Sequence, residues 1–390
     1  MTLLQIDLFN IIWYAIFFLL LFLYPRIMLA QMITKLEESA NRIESFSVKS
    51  RQFIMKKIGN NSKKLEEKIK RFQEFFAIEP SSLDPFGIVK KLDQLYRNVE
   101  SRFEEFVDEI AKKKSKKEKQ MINFGLRAAI DVNVIAKLVR HYVEIVKKYK
   151  NLQVALILQM QLPMIEEIAK SELRGTEAFI NCYPIGDSIG PLVAASMMKK
   201  SKYLTKEIMY DKRKIFGKEV LIIKASGPEP RLGRIDEAIL KIIKRRKIAK
   251  VITIDAGRKF EGEKTGSISE GVGFAMGGIF EREIIENILL PRKIPLESII
   301  VKMGLEEAIL PMKKEIMKSV PLAVEAVENA IKRTKEKGVI LVIGVGNSCG
   351  IGNSQKEIKE IEKKINEIER KYYAKKKKKK GFLEKLGIKI

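Results

Sequence analysis

Two short segments, GDSIGP at 186–191 and VITIDA at 251–256, each carry one aspartate. Paired carboxylates can divide acid and base work, because neighbouring negative charges push their pKa values apart and leave one protonated. Asp187 and Asp255 are therefore the candidate catalytic residues. Both are expected near strand ends. Ala178, Phe179, Ile180 and Cys182 read as a strand leading into Asp187, and Gly186 and Gly190 allow a tight turn before an apolar helix from Leu192. The β-rich run 250–254 ends on Asp255. Ligands of parallel α/β sheets bind outside the carboxyl ends of the strands, so two such aspartates can face one crevice. Taken singly, each has a plainer reading: Asp187 as a helix cap and Asp255 as the start of a loop.

The elements that must position this pair follow from the pattern around it. Beyond Gly175, short β-rich runs alternate with helical ones: strands at 178–183, 219–224, 250–255, 298–301 and 339–345, helices near 192–200, 235–246, 282–289 and 313–335, and a charged final helix near 355–373. Such alternation predicts a three-layer α/β domain with a largely parallel sheet. Before it the chain is helical. Leu36, Ala40 and Ile43, then Leu65, Ile69, Phe72 and Phe76, recur at three and four spacing, broken by GNN at 59–61 and EPSSLDP at 79–85. Leu92, Leu95, Val99, Phe103, Phe106 and Ile110 make another apolar stripe, suited to packing on neighbouring helices or a second subunit. KKKSKKEK at 112–119 reads as a solvated connector, and Pro163 as a kink or restart in the more apolar helical stretch 121–174. The expected organisation is an anchor at 1–30, an amphipathic helical stalk at 31–120, a helical collar at 121–175, the α/β domain at 176–353 and a charged helix with a Lys-rich tail at 354–390.

The anchor rests on residues 8–25, which are uncharged and mostly Leu, Ile, Phe, Trp or Tyr, near the lower length limit for a bilayer-spanning helix. Asp7 precedes it while Arg26 and Lys35 follow, the reverse of a secretory signal peptide. The basic residues lie on the carboxyl side, so the expected topology is a single pass with the amino terminus outside and the bulk of the chain in the cytoplasm. Lys and Arg number 75 against 49 Asp and Glu, a formal net charge of +26. With an anchor present, anionic lipid is the nearer partner; nucleic acid is not expected, since no recognisable binding motif accompanies the charge. Two cysteines, Cys182 and Cys349, form no CxxC pair, which fits a reducing compartment and argues against a structural zinc site. The sole histidine, His141, falls in a helical stretch and reads as a surface or satisfied residue.

Three further segments could line a site. TGSISEGVG at 265–273 is either a loop over the aspartates or an ordinary hairpin; as a loop, Thr265, Ser267 and Glu270 offer polar groups and Gly266 and Gly271 permit close backbone approach. GVGNSCGIGNS at 344–354 lacks the GK[ST] ending and the dinucleotide spacing, leaving a site-lining loop and a nucleotide site as equal readings. GPEPRLGR at 227–234 reads as a rigid turn, with Arg231 and Arg234 solvated or held for an anion.

Together, GDSIGPLVAASM at 186–197, VITIDAG at 251–257 and KTGSISEGVG at 264–273 resemble the ordered signature of the hydrogenase-maturation-protease and spore-germination-protease superfamily. The chain as a whole resembles a family of archaeal membrane-anchored proteins of unassigned function. The superfamily match covers roughly 176–345, and the Gly-rich stretch resembles the germination-protease branch. The resemblance implies a maturation-protease-like fold, with Asp187 and Asp255 as the first and second acidic positions. No histidine lies in that region, which speaks against a nickel site of the hydrogenase-protease kind. No cofactor is expected; Asp187, Asp255 and Glu270 are reserve ligands for a divalent metal such as magnesium. The expected function is an aspartate-dependent peptidase or related hydrolase on a membrane-anchored cytoplasmic protein, with Gly186, Gly190, Thr265, Gly266, Ser267, Glu270 and Gly271 toward a protein or peptide substrate. Its alternative is a noncatalytic scaffold or ligand-binding module, assembled into a homo-oligomer through the stalk, whose pocket takes a peptide, nucleotide or anion.

Overall fold

A computed structural model describes residues 8–78, 87–277 and 279–373. The break expected at 79–85, the lysine run at 375–380 and the tail after it lie outside the described residues. Five helices open the chain: α1 Leu8–Ile58, α2 Lys63–Phe72, α3 Ile88–Ile110, α4 Lys116–Tyr149 and α5 Leu152–Asn181. α1 continues through Pro25 and, at 1.5 Å per residue, is about 75 Å long. Its early part is apolar and uncovered, with Phe22 exposed at 75%. That stretch is long and apolar enough to cross a membrane.

Further along, Leu36, Ala40 and Ile43 of α1 pack with Val139 and Val143 of α4 and with Ala155 and Leu158 of α5. A second cluster joins Ile54 of α1, Ile69 and Phe72 of α2, Phe103 and Phe106 of α3, and Ile122 and Leu126 of α4. Residues on both sides of position 120 thus share the same cores. Only the first part of the basic 112–119 segment is a connector. Ser115 and Glu118 satisfy each other's backbone amides in a capping box, so α4 begins inside it. Pro163 lies within a continuous α5.

The strand expected at 178–183 is not there. Ala178, Phe179 and Ile180 form the last turn of α5, and Cys182 ends it in the left-handed region at φ 53°. The apolar run that looks like a strand is a helix buried on several sides, which periodicity over so short a window cannot distinguish. Ile180 joins the lower helical core, and Ala178 packs with Ile185 and Cys349.

The remaining elements are α6 Ile189–Met197, β1 Lys202–Tyr203, β2 Ile208–Ile215, β3 Lys218–Ala225, α7 Ile235–Ile243, β4 Ile248–Arg258, β5 Ile268–Val272, α8 Ile279–Leu289, β6 Leu296–Met303, α9 Leu305–Ile309, α10 Lys314–Met317, α11 Val320–Arg333, β7 Val339–Gly344 and α12 Ile358–Tyr372. The strands form one mixed sheet in the order β1-β2-β3-β7-β4-β6-β5. Its centre, β3-β7-β4-β6, is parallel, and both edges are antiparallel. The near-continuous apolar runs of β3, β4 and β7 are those of strands covered on both faces. Residues of α6, α11 and α12 pack on one face and residues of α7 and α8 on the other. The helix expected at 313–335 divides into α10 and α11, because Pro321 suits a first helical turn and cannot donate to a preceding one.

The tightest packing lies where α6 begins. A Cβ on Gly190 would stand 2.1 Å from the Val345 carbonyl oxygen and 2.4 Å from that of Ile254, and one on Gly344 would stand 2.5 Å from the Gly190 oxygen. Gly190→Ala must push α6 off the ends of β7 and β4. It is expected to cost about 1–3 kcal/mol or more, as overpacking does, and to lower the thermal unfolding midpoint of the full chain; an unchanged midpoint would show that the contact can relax freely.

Candidate active site

Asp187 sits in the single 3-10 turn Gly186–Ser188 between the end of α5 and the start of α6. This turn is wedged against α9. A Cβ on Gly186 would meet the Glu307 carbonyl oxygen at 2.1 Å, and the Gly186 amide donates to Leu310 O at 3.1 Å. Asp255 lies in β4, one residue past Ile254, whose pairing with Gly344 is the last between β4 and β7. β7 ends there, and the turn before α6 packs Asp187 against the chain that leaves it, with Gly346 against the Asp187 carbonyl.

The two carboxylates come close enough for the charge of Asp187 to act on Asp255. Asp255 is 5% exposed and Asp187 half-buried. Burial, and then the charge of Asp187, push the Asp255 carboxyl up to about 8, against the opposing pull of the Ala256 and Gly277 amides. Burial also raises Asp187, offset by the amide of Asn347, which donates to Oδ2 at 2.7 Å. The Ala256 amide donates to Asp255 Oδ1 at 2.7 Å. Both carboxyls are thus shifted toward the protonated form, Asp255 by burial and by the charge of Asp187, and Asp187 by burial. One oxygen of each acid faces a backbone amide, and two neighbouring carboxyls of which one is favoured to keep its proton can divide acid and base work.

The other expected site residues scatter. Thr265 donates to Glu307 Oε2 at 2.8 Å and accepts from Lys259 Nζ at 3.0 Å. Gly266, at φ 85°, donates to Lys302 O at 2.8 Å, and Ser267 turns back to the Lys264 carbonyl at 2.8 Å. Glu270 and Gly271 belong to β5, two strands from β4 and so about 9–10 Å away. Glu270 is paired with Ile299 and bound to Arg333 at 2.6 Å, on the sheet face opposite Asp255. Residues 268–272 are thus an edge strand paired with β6 across a connection that contains α8, neither a hairpin nor a cover over the aspartates, and Glu270 is not a third carboxylate beside them. Among the described residues no group of three or more His, Cys, Asp and Glu side chains assembles. Any metal held here would have Asp187 and Asp255 as its carboxylate ligands. His141 lines a cavity of the helical region with Glu44 and Arg140, remote in the fold from the sheet.

What covers Asp255 is the next segment, 273–277. The Ser298 hydroxyl donates to Gly273 O at 2.6 Å and accepts from the Ala275 amide at 2.9 Å, which leads the chain to the Gly277 amide beside Asp255. The 344–354 loop does lie at the site. Asn347 binds Asp187 through its amide, while its side chain accepts from the amides of Arg231 at 3.2 Å and Cys349 at 3.0 Å. Gly346, at φ 112°, leaves room for the Asp187 backbone, from which a Cβ would be 2.2 Å away. Arg231 and Arg234 are spent on Glu207 and on Asp93 and Asp236. Glu307, 3% exposed, was not foreseen. Burial would raise it, but Lys313, the Gly304 amide and Thr265 hold it below the usual carboxylate range. Its spacing from Gly304 reads in the sequence only as a helix-start signal.

Residues 185–352 match the model "Domain of unknown function (DUF1512) C-terminal", and residues 10–182 match "Protein of unknown function (DUF1512) N-terminal domain". The chain is a two-domain member of the DUF1512 family. No curated protein and no solved structure matches it. The boundary between the two family domains falls at 182–185, between the left-handed cap of α5 and the Asp187 turn.

The pKa of Asp255 has a sign that stability measurements can read. A carboxyl at about 8 when folded and 3.8 ordinarily binds its proton more tightly in the folded state. Its contribution is complete below pH 3.8 and is lost as pH rises through 8, at a slope of roughly 1.4 kcal/mol per pH unit. Asp255→Asn removes that slope. Its stability relative to the parent is expected to improve steadily between pH 4 and 8 in urea titrations, and parallel pH curves would mean that Asp255 is not protonated.

Proposed function

We propose that this DUF1512 protein is a membrane-anchored hydrolase whose α/β domain cuts peptide bonds with an aspartate pair. The single observation carrying the reading is the meeting of Asp187 and Asp255 where β7 ends, both held by backbone amides away from any cation, with burial and the charge of Asp187 raising Asp255. Asp187 acts as the base that activates water, and Asp255 donates its proton to the carbonyl or to the departing amine. The resemblance to the maturation-protease superfamily supports this assignment through Asp187 and Asp255, although the first aspartate follows helix α5 where that superfamily has a strand. The apolar, uncovered start of α1 supports the anchor, and the excess of Lys and Arg beyond it supports a cytoplasmic α/β domain. A pocket that binds a peptide without cutting it is the second reading, favoured by the backbone amides that already occupy one oxygen of each acid.

The test is turnover of labelled casein and mixed peptides by the full chain in detergent. Asp187→Asn and Asp255→Asn should each lower the rate by about 10²–10⁴-fold, with the double variant little worse than either, as expected of residues acting as a unit. Activity should decline above pH 8 as Asp255 loses its proton. Processing at the parental rate by the double variant would sink the hydrolase, and binding without turnover would favour the pocket reading.

Anchoring has its own check. Alkaline carbonate should leave the full chain in the membrane pellet and release a form lacking residues 1–30; extraction of the full chain would remove the anchor.

A further inference from the structure

The chain has two cysteines, far apart in sequence, and the fold brings their side chains together. Cys182 is the left-handed cap of α5, its amide donating to Phe179 O at 3.2 Å. Cys349 lies in the loop after β7. Cys349 Sγ donates at 3.1 Å to the carbonyl of Tyr183, the residue after Cys182, and Cys182 Sγ donates at 2.8 Å to the Pro228 carbonyl, which also accepts from the amide of Gly350, the residue after Cys349, so each thiol lies beside the other's chain neighbour.

Their surroundings are unequal. Cys182 retains 7% exposure while Cys349 has none. The neighbouring Cys349 thiol holds the Cys182 thiol down to about 7 despite burial, helped by the Lys364 charge and the Gly350 amide. Burial pushes Cys349 well above its ordinary value. Lys364 of α12 also donates to the Cys182 carbonyl at 2.5 Å, which keeps a cation at this corner. A thiolate-forming, marginally exposed cysteine beside a buried partner thiol is the arrangement of an attacking and a resolving cysteine.

We propose that Cys182 and Cys349 are an oxidisable dithiol, closed by hydrogen peroxide into a disulfide that fastens the end of the N-terminal domain to the loop holding Asp187. In the first step the Cys182 thiolate attacks one peroxide oxygen, the O–O bond breaks, and the leaving hydroxide takes a proton to become water. Cys182 is then a sulfenic acid. In the second, the Cys349 sulfur attacks the Cys182 sulfur, the S–O bond breaks, and the Cys349 proton leaves with the hydroxyl as a second water. Two thiols and one peroxide give one disulfide and two waters. The consequence is local: Cys349 donates its amide to Asn347 Oδ1, and the Asn347 amide holds Asp187. This pair does not depend on whether the aspartates cut anything.

The experiment uses the full chain in detergent, reduced, desalted, treated with hydrogen peroxide, then denatured and alkylated before peptide mapping. The parent should lose both alkylatable thiols together and yield one intramolecular linked peptide joining Cys182 to Cys349. With dimedone present, Cys349→Ser should be labelled at Cys182 at least about tenfold faster than Cys182→Ser is labelled at Cys349. Retention of both thiols in the treated parent, a purely intermolecular link, or equal labelling of the two variants would overturn the proposal. The parent mapping needs no variant to fold.

Discussion

The site depends on a backbone-to-backbone contact. Gly190 in the first turn of α6 lies against the carbonyl oxygens of Val345 and Ile254, at the points where β7 ends and β4 continues. Side chains cannot intervene at such separations, so the helix axis is set by main-chain atoms alone. Gly186 against Glu307, Gly344 against Gly190 and Gly346 against Asp187 repeat the contact around the same turn. Glycine carries an entropic cost on folding that a larger residue would reduce. Here that cost is offset by the approach it permits, because a carboxylate carried on the short turn before α6 can reach a carboxylate carried on a strand.

The electrostatics of the pair differ from those of the acids nearby. Glu307 is bound by Lys313, Glu270 and Glu297 by Arg333, and Asp93 and Asp236 by Arg234. Each of these carboxylates has a cation at hand. Asp187 and Asp255 have backbone amides instead. Amide dipoles compensate a buried negative charge only in part, and two such charges side by side exceed what they supply. A retained proton relieves the excess. In a chain of net charge +26, an acidic pair left without a cation is a local departure from the general balance, of the kind found at functional sites.

The two family domains are fastened to one another at more than one place. Arg234, ahead of α7, reaches Asp93 of α3, and Arg97 reaches Glu237. A Cβ on Gly175 of α5 would meet Ile309 of α9 at 2.4 Å, so helix and loop are in close contact just below the Asp187 turn. Since α5 also packs on α1, the long N-terminal helix and the aspartate pair belong to one continuous chain of packing. Such continuity is what would let an anchored helix set the position of the site.

The pattern of apolar residues was enough to read most elements. Alternation of β-rich and helical runs located β3, β4, β6 and β7 and helices α6, α7 and α8, and the uncharged run at 8–25 located the exposed part of α1. Asp187 and Asp255 were legible as candidates because glycine-bounded turns and strand ends leave local marks. Their mutual approach was not, nor was the role of Asn347, whose contact with Asp187 is a backbone amide that any residue but proline could supply. Residues 178–181 turned out helical because Ile180 and Ala178 pack on neighbours from distant parts of the chain, a fact that no short window contains. Glu270 looked equivalent to a site acid until the edge pairing of β5 put it on the far face with Arg333. The sequence by itself determined which segments are helix or strand and which residues could carry chemistry, since those follow from local period and residue type. Only the tertiary structure decided which acids meet, which are neutralised by a cation, and which two thiols come together, because these rest mainly on contacts between segments distant in the chain.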